Sequence, residues 1–138
     1  TTQLFKSLTG YLHNEMRLAL GERTGQLGSK RKNSLDKYGF SPKNFAHLFR
    51  LCETGTHFFK RGEYPVNLKT HDRSLWQFCM DVKHEPREFD RDTLKQLAET
   101  STLRMIEAYD NRSFSYEPDE DAIASVLHHF YSKYTTTK

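Results

Sequence analysis

The sequence predicts an all-helical domain, and three observations carry this prediction. Apolar residues recur at spacings of three and four in several segments, which is the pattern of an amphipathic helix. Residues that typically begin and end helices stand at the borders of these segments. The chain contains no series of β-branched runs that would build a sheet. We therefore expect one domain over residues 1–138, an antiparallel bundle of four to five helices with a long basic loop between the first two.

Five segments fit the helical pattern. Their predicted bounds are Thr1–Leu20, Pro42–Lys60, Arg73–Val82, a fourth helix from the Asp90 cap to Tyr109, and a last helix after Pro118 that is followed by a frayed tail at 135–138. Ser41 and Asp72 are residue types that cap helix N-termini, and Pro42 suits the first helical position. Gly62 suits a helix end because glycine adopts the left-handed conformation there.

The composition of the segment 21–40 differs from that of its neighbours. It contains four glycines and the run Lys30-Arg31-Lys32, but little apolar content. We therefore expect a flexible basic loop. Long loops are uncommon in compact domains unless they have a function. The two interpretations are a disordered connector and a phosphate-binding loop that orders when its ligand binds.

The composition excludes several protein classes. With 28% charged residues and 36% hydrophobic residues, no run approaches the roughly 20 apolar residues of a membrane span. No apolar stretch near the N-terminus marks a signal peptide, so the expected location is cytoplasmic. Cys52 and Cys79 both lie within apolar helical patterns, which predicts buried free thiols rather than a disulfide or a zinc site.

The second predicted helix has a basic stripe opposite its core face. Phe45, Leu48, Phe49, Cys52, Thr56 and Phe59 fall on one side of this helix at about 100° per residue. Lys43, His47 and Arg50 fall on the opposite side, with roughly one residue per turn. Arginine can grip a phosphate with two parallel bonds, and lysine supplies a point charge. The alternative is that this stripe is only the solvated face of an amphipathic helix.

Aromatic residues stand beside these basic residues. Tyr38 and Phe40 border the basic loop and are candidates to stack a base, because proteins that bind single strands interleave aromatic and basic side chains. The predicted site for a nucleotide or RNA consists of Lys37, Tyr38, Lys43, His47 and Arg50, with secondary phosphate contacts from Lys30, Arg31 and Lys32. No histidine spacing typical of a metal site occurs, so no metal ligand is predicted.

The same stretch carries a family resemblance. The run Lys37-Tyr38-Gly39-Phe40, followed by Lys43, His47, Leu48, Arg50 and Leu51, resembles a pattern in the C-terminal helical part of DNA polymerase beta-like nucleotidyltransferases of the predicted RNA-repair group. Gly62-Glu63-Tyr64 and the start of the last helix, Pro118 to Ile123, are similar to later elements of that family. The resemblance extends over roughly Tyr11 to Tyr134 and implies a helical domain that positions a phosphate-bearing substrate.

The chain departs from that family in its catalytic part. Such enzymes carry a sheet domain with a Gly-Ser turn and paired aspartates that hold divalent metals against the phosphates. Here Gly28-Ser29 precedes a lysine-rich segment rather than a strand, and Asp119 and Asp121 stand at a predicted helix start. Acidic residues are favoured at that position by the helix dipole. We therefore expect no cofactor in this chain, and Mg²⁺ only where a catalytic domain is present elsewhere.

Three functions remain open from the sequence. The first is a nucleotide- or RNA-binding domain that serves a nucleotidyltransferase core in the same or another chain. The second is a small helical RNA-processing enzyme that uses His47 as an acid or base. The third is an adaptor that docks on a catalytic domain through an apolar surface. Whether the chain is itself an enzyme is left open.

Overall fold

A computed structural model describes residues 2–22, 29–65 and 67–112, and these residues form helices and short connections. The helices are α1 (Thr2–Leu20), α2 (Ser29–Tyr38), α3 (Pro42–Arg61), α4 (Leu68–His71), α5 (Arg73–His84) and α6 (Arg91–Asp110), with a short 3₁₀ turn at Pro86–Glu88. The predicted all-helical bundle is confirmed. The helix expected after Pro118 and the tail at 135–138 lie outside the described residues.

Most of the predicted helix ends are confirmed by their capping bonds. Asp72 accepts a hydrogen bond from the backbone N–H of Leu75 at 3.0 Å. Gly62 ends α3 with φ of 72° and donates its N–H to the Phe58 carbonyl. Ser41 precedes α3 as expected, but its side chain makes no capping bond. Its hydroxyl donates to a buried side chain instead, as described below.

Helix α2 corrects the prediction of a flexible loop over 21–40. Residues 29–38 are helical in the structure, and only Leu35 and Tyr38 among them supply a large apolar side chain. Hydrophobic periodicity cannot reveal a helix that buries so few residues. The Leu35 side chain packs at Gly21, where an added Cβ would lie 2.9 Å from a Leu35 methyl group. This contact packs helix α2 against the end of α1.

Helix α3 is the centre of the bundle. Thirteen of its 20 residues are buried, which includes all six residues predicted for its core face. Contacts along the chain show that α1 and α5 run antiparallel to α3, whereas α6 runs parallel to it. The pairs that set these directions are Phe5–Phe59 and Tyr11–His47 for α1, Phe49–Phe78 and Lys43–Lys83 for α5, and Cys52–Thr102 and Phe59–Tyr109 for α6. The four longest of the described helices therefore alternate in direction along the chain, as in an up-and-down bundle.

No helix in the described part of the chain is long and apolar enough to cross a membrane.

Both cysteines are buried free thiols, as predicted. Burial raises the pKa of Cys52 and of Cys79 to about 12. Because the thiolate is the reactive form, we expect the folded protein to resist a thiol reagent such as iodoacetamide at about pH 8, and the urea-unfolded protein to react at both sites. Mass spectrometry of the alkylated chain measures this. Rapid alkylation of the native protein would contradict the burial of both thiols.

Candidate phosphate-binding site

Four basic side chains from three helices converge near the start of α3. Lys30 and Arg31 extend from α2, Lys43 from α3 and Lys83 from α5, and the charges of the other three each act on the Lys43 ammonium group. We call these four residues the basic cluster. The sequence predicted the first three. Lys83 was missed because only the antiparallel packing of α5 on α3 brings it to this place.

The environment of Lys43 is unfavourable to its own charge. Burial lowers the pKa of Lys43, and repulsion from Lys83, Arg31 and Lys30 lowers it further. The side chain is half-buried, so water compensates these effects only in part. A bound anion would attract the Lys43 ammonium group and offset its repulsion by the other three residues. The cluster therefore has the electrostatic character of an anion site.

His47 and Arg50 continue the basic surface along α3. The His47 Nε2 atom lies 3.5 Å from the Tyr11 hydroxyl of α1. Arg50 lies toward α5, where its charge partly opposes the effect of burial, which raises the pKa of Cys79 to about 12. Lys43, His47 and Arg50 therefore share the face of α3 that lies between α1 and α5, and all three are half-buried rather than fully solvated. We call this surface the basic groove.

The aromatic residues of the predicted site have different positions. Phe40 is 2% exposed and packs edge-on against Phe45, so the prediction that Phe40 stacks a base is wrong. Tyr38 is half-buried against the core. The Lys37 ammonium lies 5.3 Å from the Tyr38 ring centre, at the end of α2 opposite to Lys30 and Arg31. Lys32 is exposed on α2.

A buried polar network lies directly beneath the basic cluster. Asn44 donates from Nδ2 to the Glu15 carboxylate at 3.0 Å. Its Oδ1 atom accepts from the Ser41 hydroxyl at 2.6 Å and from Arg31 Nε at 3.2 Å. Glu15 and Asn44 are each 1% exposed. The sequence analysis missed this network because Glu15 and Asn44 have no unusual spacing; a charged residue at an apolar helical position was the only available signal.

Burial is the largest influence on the pKa of Glu15. It raises the pKa of this carboxyl group to about 7, although the Asn44 hydrogen bond and the Arg31 charge act in the opposite direction. Carboxyl groups with such a pKa change charge in the neutral range. They occur at functional sites more often than elsewhere.

A cleft opens between α3, α5 and α6, and its lining includes Glu53, Leu75 and Arg104. Glu53 accepts from His71 at 3.2 Å and from Arg104 at 3.5 Å. The His71 ring meets the His57 ring edge-on at 4.5 Å. Because Glu53 is occupied by two basic partners, this cluster connects α3 with α4 and α6 and serves the packing of the bundle.

Within residues 2–22, 29–65 and 67–112, no group of three histidine, cysteine or carboxylate side chains is arranged to hold a metal ion. Asp119 and Asp121 lie outside these ranges.

Comparison with protein-family models, with curated proteins and with solved structures finds no match to this chain.

Proposed function

We propose that this chain is a helical module that binds the phosphates of a nucleotide or an RNA strand. The observation that carries the proposal is the convergence of Lys30, Arg31, Lys43 and Lys83 from three helices, with Lys43 half-buried among like charges. Holding like charges together destabilises a folded chain. A polyanionic ligand offsets this repulsion and gains from the release of its counterions.

The basic groove extends the binding site along the axis of α3. Lys43, His47 and Arg50 follow one another at about one residue per turn, a rise of about 5 Å. A row of donors at such intervals suits successive phosphates of one strand better than a single small anion. Arg50 adds the planar fork that binds phosphate oxygens in pairs.

We propose only a binding role for this chain, and we assign nucleotidyl transfer to a different domain. The resemblance to polymerase beta-like nucleotidyltransferases suggests that a catalytic domain, in the same or another chain, would supply the paired carboxylates and Mg²⁺. A protein that docks on such a domain without binding RNA, and a small enzyme that uses His47, are the competing functions.

We expect the affinity for RNA to depend on both salt and the basic cluster. The probe is a fluorescein-labelled single-stranded RNA of about 12 nucleotides, whose anisotropy is followed across a salt series. Lys43→Ala should weaken binding about tenfold, because a hydrogen bond to a charged group contributes about 1.5 kcal/mol. The slope of log K against log salt should also fall by about 0.7 for each phosphate that the variant no longer neutralises.

Lys6→Ala is the matched control. Lys6 is exposed on α1, near the end that packs against Phe59 through Phe5, so it lies at the opposite end of the bundle from Lys43. It should leave affinity and slope nearly unchanged. Equal effects of the two substitutions, or an affinity that does not respond to salt, would overturn the proposed function.

A further inference from the structure

We propose that Glu15 is a positioning residue that controls, through Asn44, how strongly Arg31 engages a bound phosphate. This inference rests on the proposed function and names a mode of regulation for the same site. Glu15 itself is buried and does not touch the ligand. Its effect reaches the surface through two hydrogen bonds.

The geometry makes Asn44 the link between the acid and the base. The Asn44 amide donates to Glu15 with its nitrogen and accepts from Arg31 with its oxygen. The Ser41 hydroxyl donates to the same oxygen at 2.6 Å and fixes the orientation of the amide. Arg31 is half-buried, so one part of its guanidinium group meets the network while the side chain still reaches the protein surface.

The charge on Glu15 changes the electrostatic potential at Arg31. When Glu15 is ionised, its negative charge attracts Arg31 inward and competes with a phosphate for the same guanidinium group. When Glu15 is protonated, this competition ends and the potential of the basic cluster becomes more positive. Asn44 from α3 and Arg31 from α2 both favour the ionised form of Glu15 and lower its pKa against the effect of burial.

Binding of phosphate and protonation of Glu15 should therefore favour each other. The relation is reciprocal, because a ligand that binds better to the protonated protein must also raise the proton affinity of that protein. Since burial raises the pKa of Glu15 to about 7, the change in affinity should fall in the neutral range. The protein would hold RNA more tightly when the medium becomes mildly acidic.

The test measures RNA affinity as a function of pH in the intact chain. The probe is a single-stranded RNA of the same length, labelled with a dye that has no titrating group in this range instead of fluorescein and prepared without terminal phosphates, so that its charge is constant between about pH 5.5 and about pH 8.5. We expect the wild-type affinity to fall about tenfold across this range, which corresponds to a rise of about one unit in the pKa of Glu15 on binding. Glu15→Gln should keep the tight affinity throughout.

His47→Gln controls for the histidine of the basic groove. This variant removes any contribution of the imidazole to the pH dependence and leaves that of Glu15. A direct readout is the carboxyl ¹³C shift of Glu15 followed by NMR with and without RNA. Its midpoint should rise when RNA is bound.

The possible failures are distinct. RNA binding with the same pH dependence in wild type and Glu15→Gln would overturn the role of Glu15 and leave the proposed function standing. A midpoint of Glu15 that does not move on RNA binding would overturn it too. Absence of RNA binding at every pH would overturn the proposed function, and the role of Glu15 with it.

Discussion

Replacing Glu15 with glutamine should stabilise the protein at neutral pH and above, and should have little effect only below about pH 4. The pKa of Glu15 is about 7 in the folded chain, whereas a glutamate in an unfolded chain has a pKa of about 4.3. The folded state therefore holds a proton that the unfolded state has already released. The contribution of this carboxyl group to folding stability is fully present below the unfolded pKa and is lost as the pH rises to the folded pKa. This contribution amounts to about 4 kcal/mol.

Glutamine reproduces the neutral form of this acid. Its carbonyl oxygen accepts from Asn44 as the carboxyl oxygen does, and its amide replaces the acid proton as a donor. Urea unfolding between about pH 4 and about pH 9 should show a stability that falls with pH in the wild type and a flatter profile in Glu15→Gln. Glu99→Gln is the control, because Glu99 is exposed on α6. Parallel pH profiles for wild type and Glu15→Gln would contradict the buried acid.

Replacing Gly55 with alanine should destabilise the protein by about 1–3 kcal/mol. Alanine favours a helix over glycine by about 1 kcal/mol, so the helix preference alone predicts the opposite sign. The reason lies in the packing of α3 on α6. An added Cβ would lie 2.5 Å from the Met105 sulfur and 3.1 Å from the Met105 Cγ atom. Met105 is fully buried, so its side chain has little space into which it can move.

Gly10→Ala provides the control with the same chemical change. Gly10 lies in α1, and an added Cβ there meets nothing within 4 Å. It should stabilise the protein by about 0.5–1 kcal/mol. Chemical unfolding of both variants measures the contrast. Combining Gly55→Ala with Met105→Ala should cost less than the sum of the single changes. Stabilisation by Gly55→Ala would show that the two helices lie farther apart than described.

The long helices could be predicted because each of them buries an apolar stripe. The pattern placed α3 at Pro42–Lys60, one residue short of its observed end at Arg61, and Gly62 marked that end. Helix α2 could not be found in this way. Its sequence is polar, and it is held by contacts such as Leu35 at Gly21 and Arg31 with Asn44, which depend on the position of α1 and α3.

The residues of the candidate site show the same distinction between helical pattern and tertiary packing. Lys43, His47 and Arg50 share one helix, so their common face follows from helical geometry. Lys83 and Glu15 belong to other helices, and only tertiary packing brings them to the start of α3. The misplaced Phe40 shows the reverse error: an aromatic residue beside basic residues suggests a stacking surface, but burial against Phe45 decides its role.

The central position of α3 limits how this surface can diversify. Because 13 of its 20 residues are buried, most substitutions in α3 alter the core. Helices α2 and α5 carry exposed basic residues such as Lys30 and Lys83, where surface changes usually alter stability by less than about 0.5 kcal/mol. Under the proposed function, chains of this fold that bind a different ligand should therefore differ mainly on α2 and α5, and a library meant to change specificity belongs on those two helices.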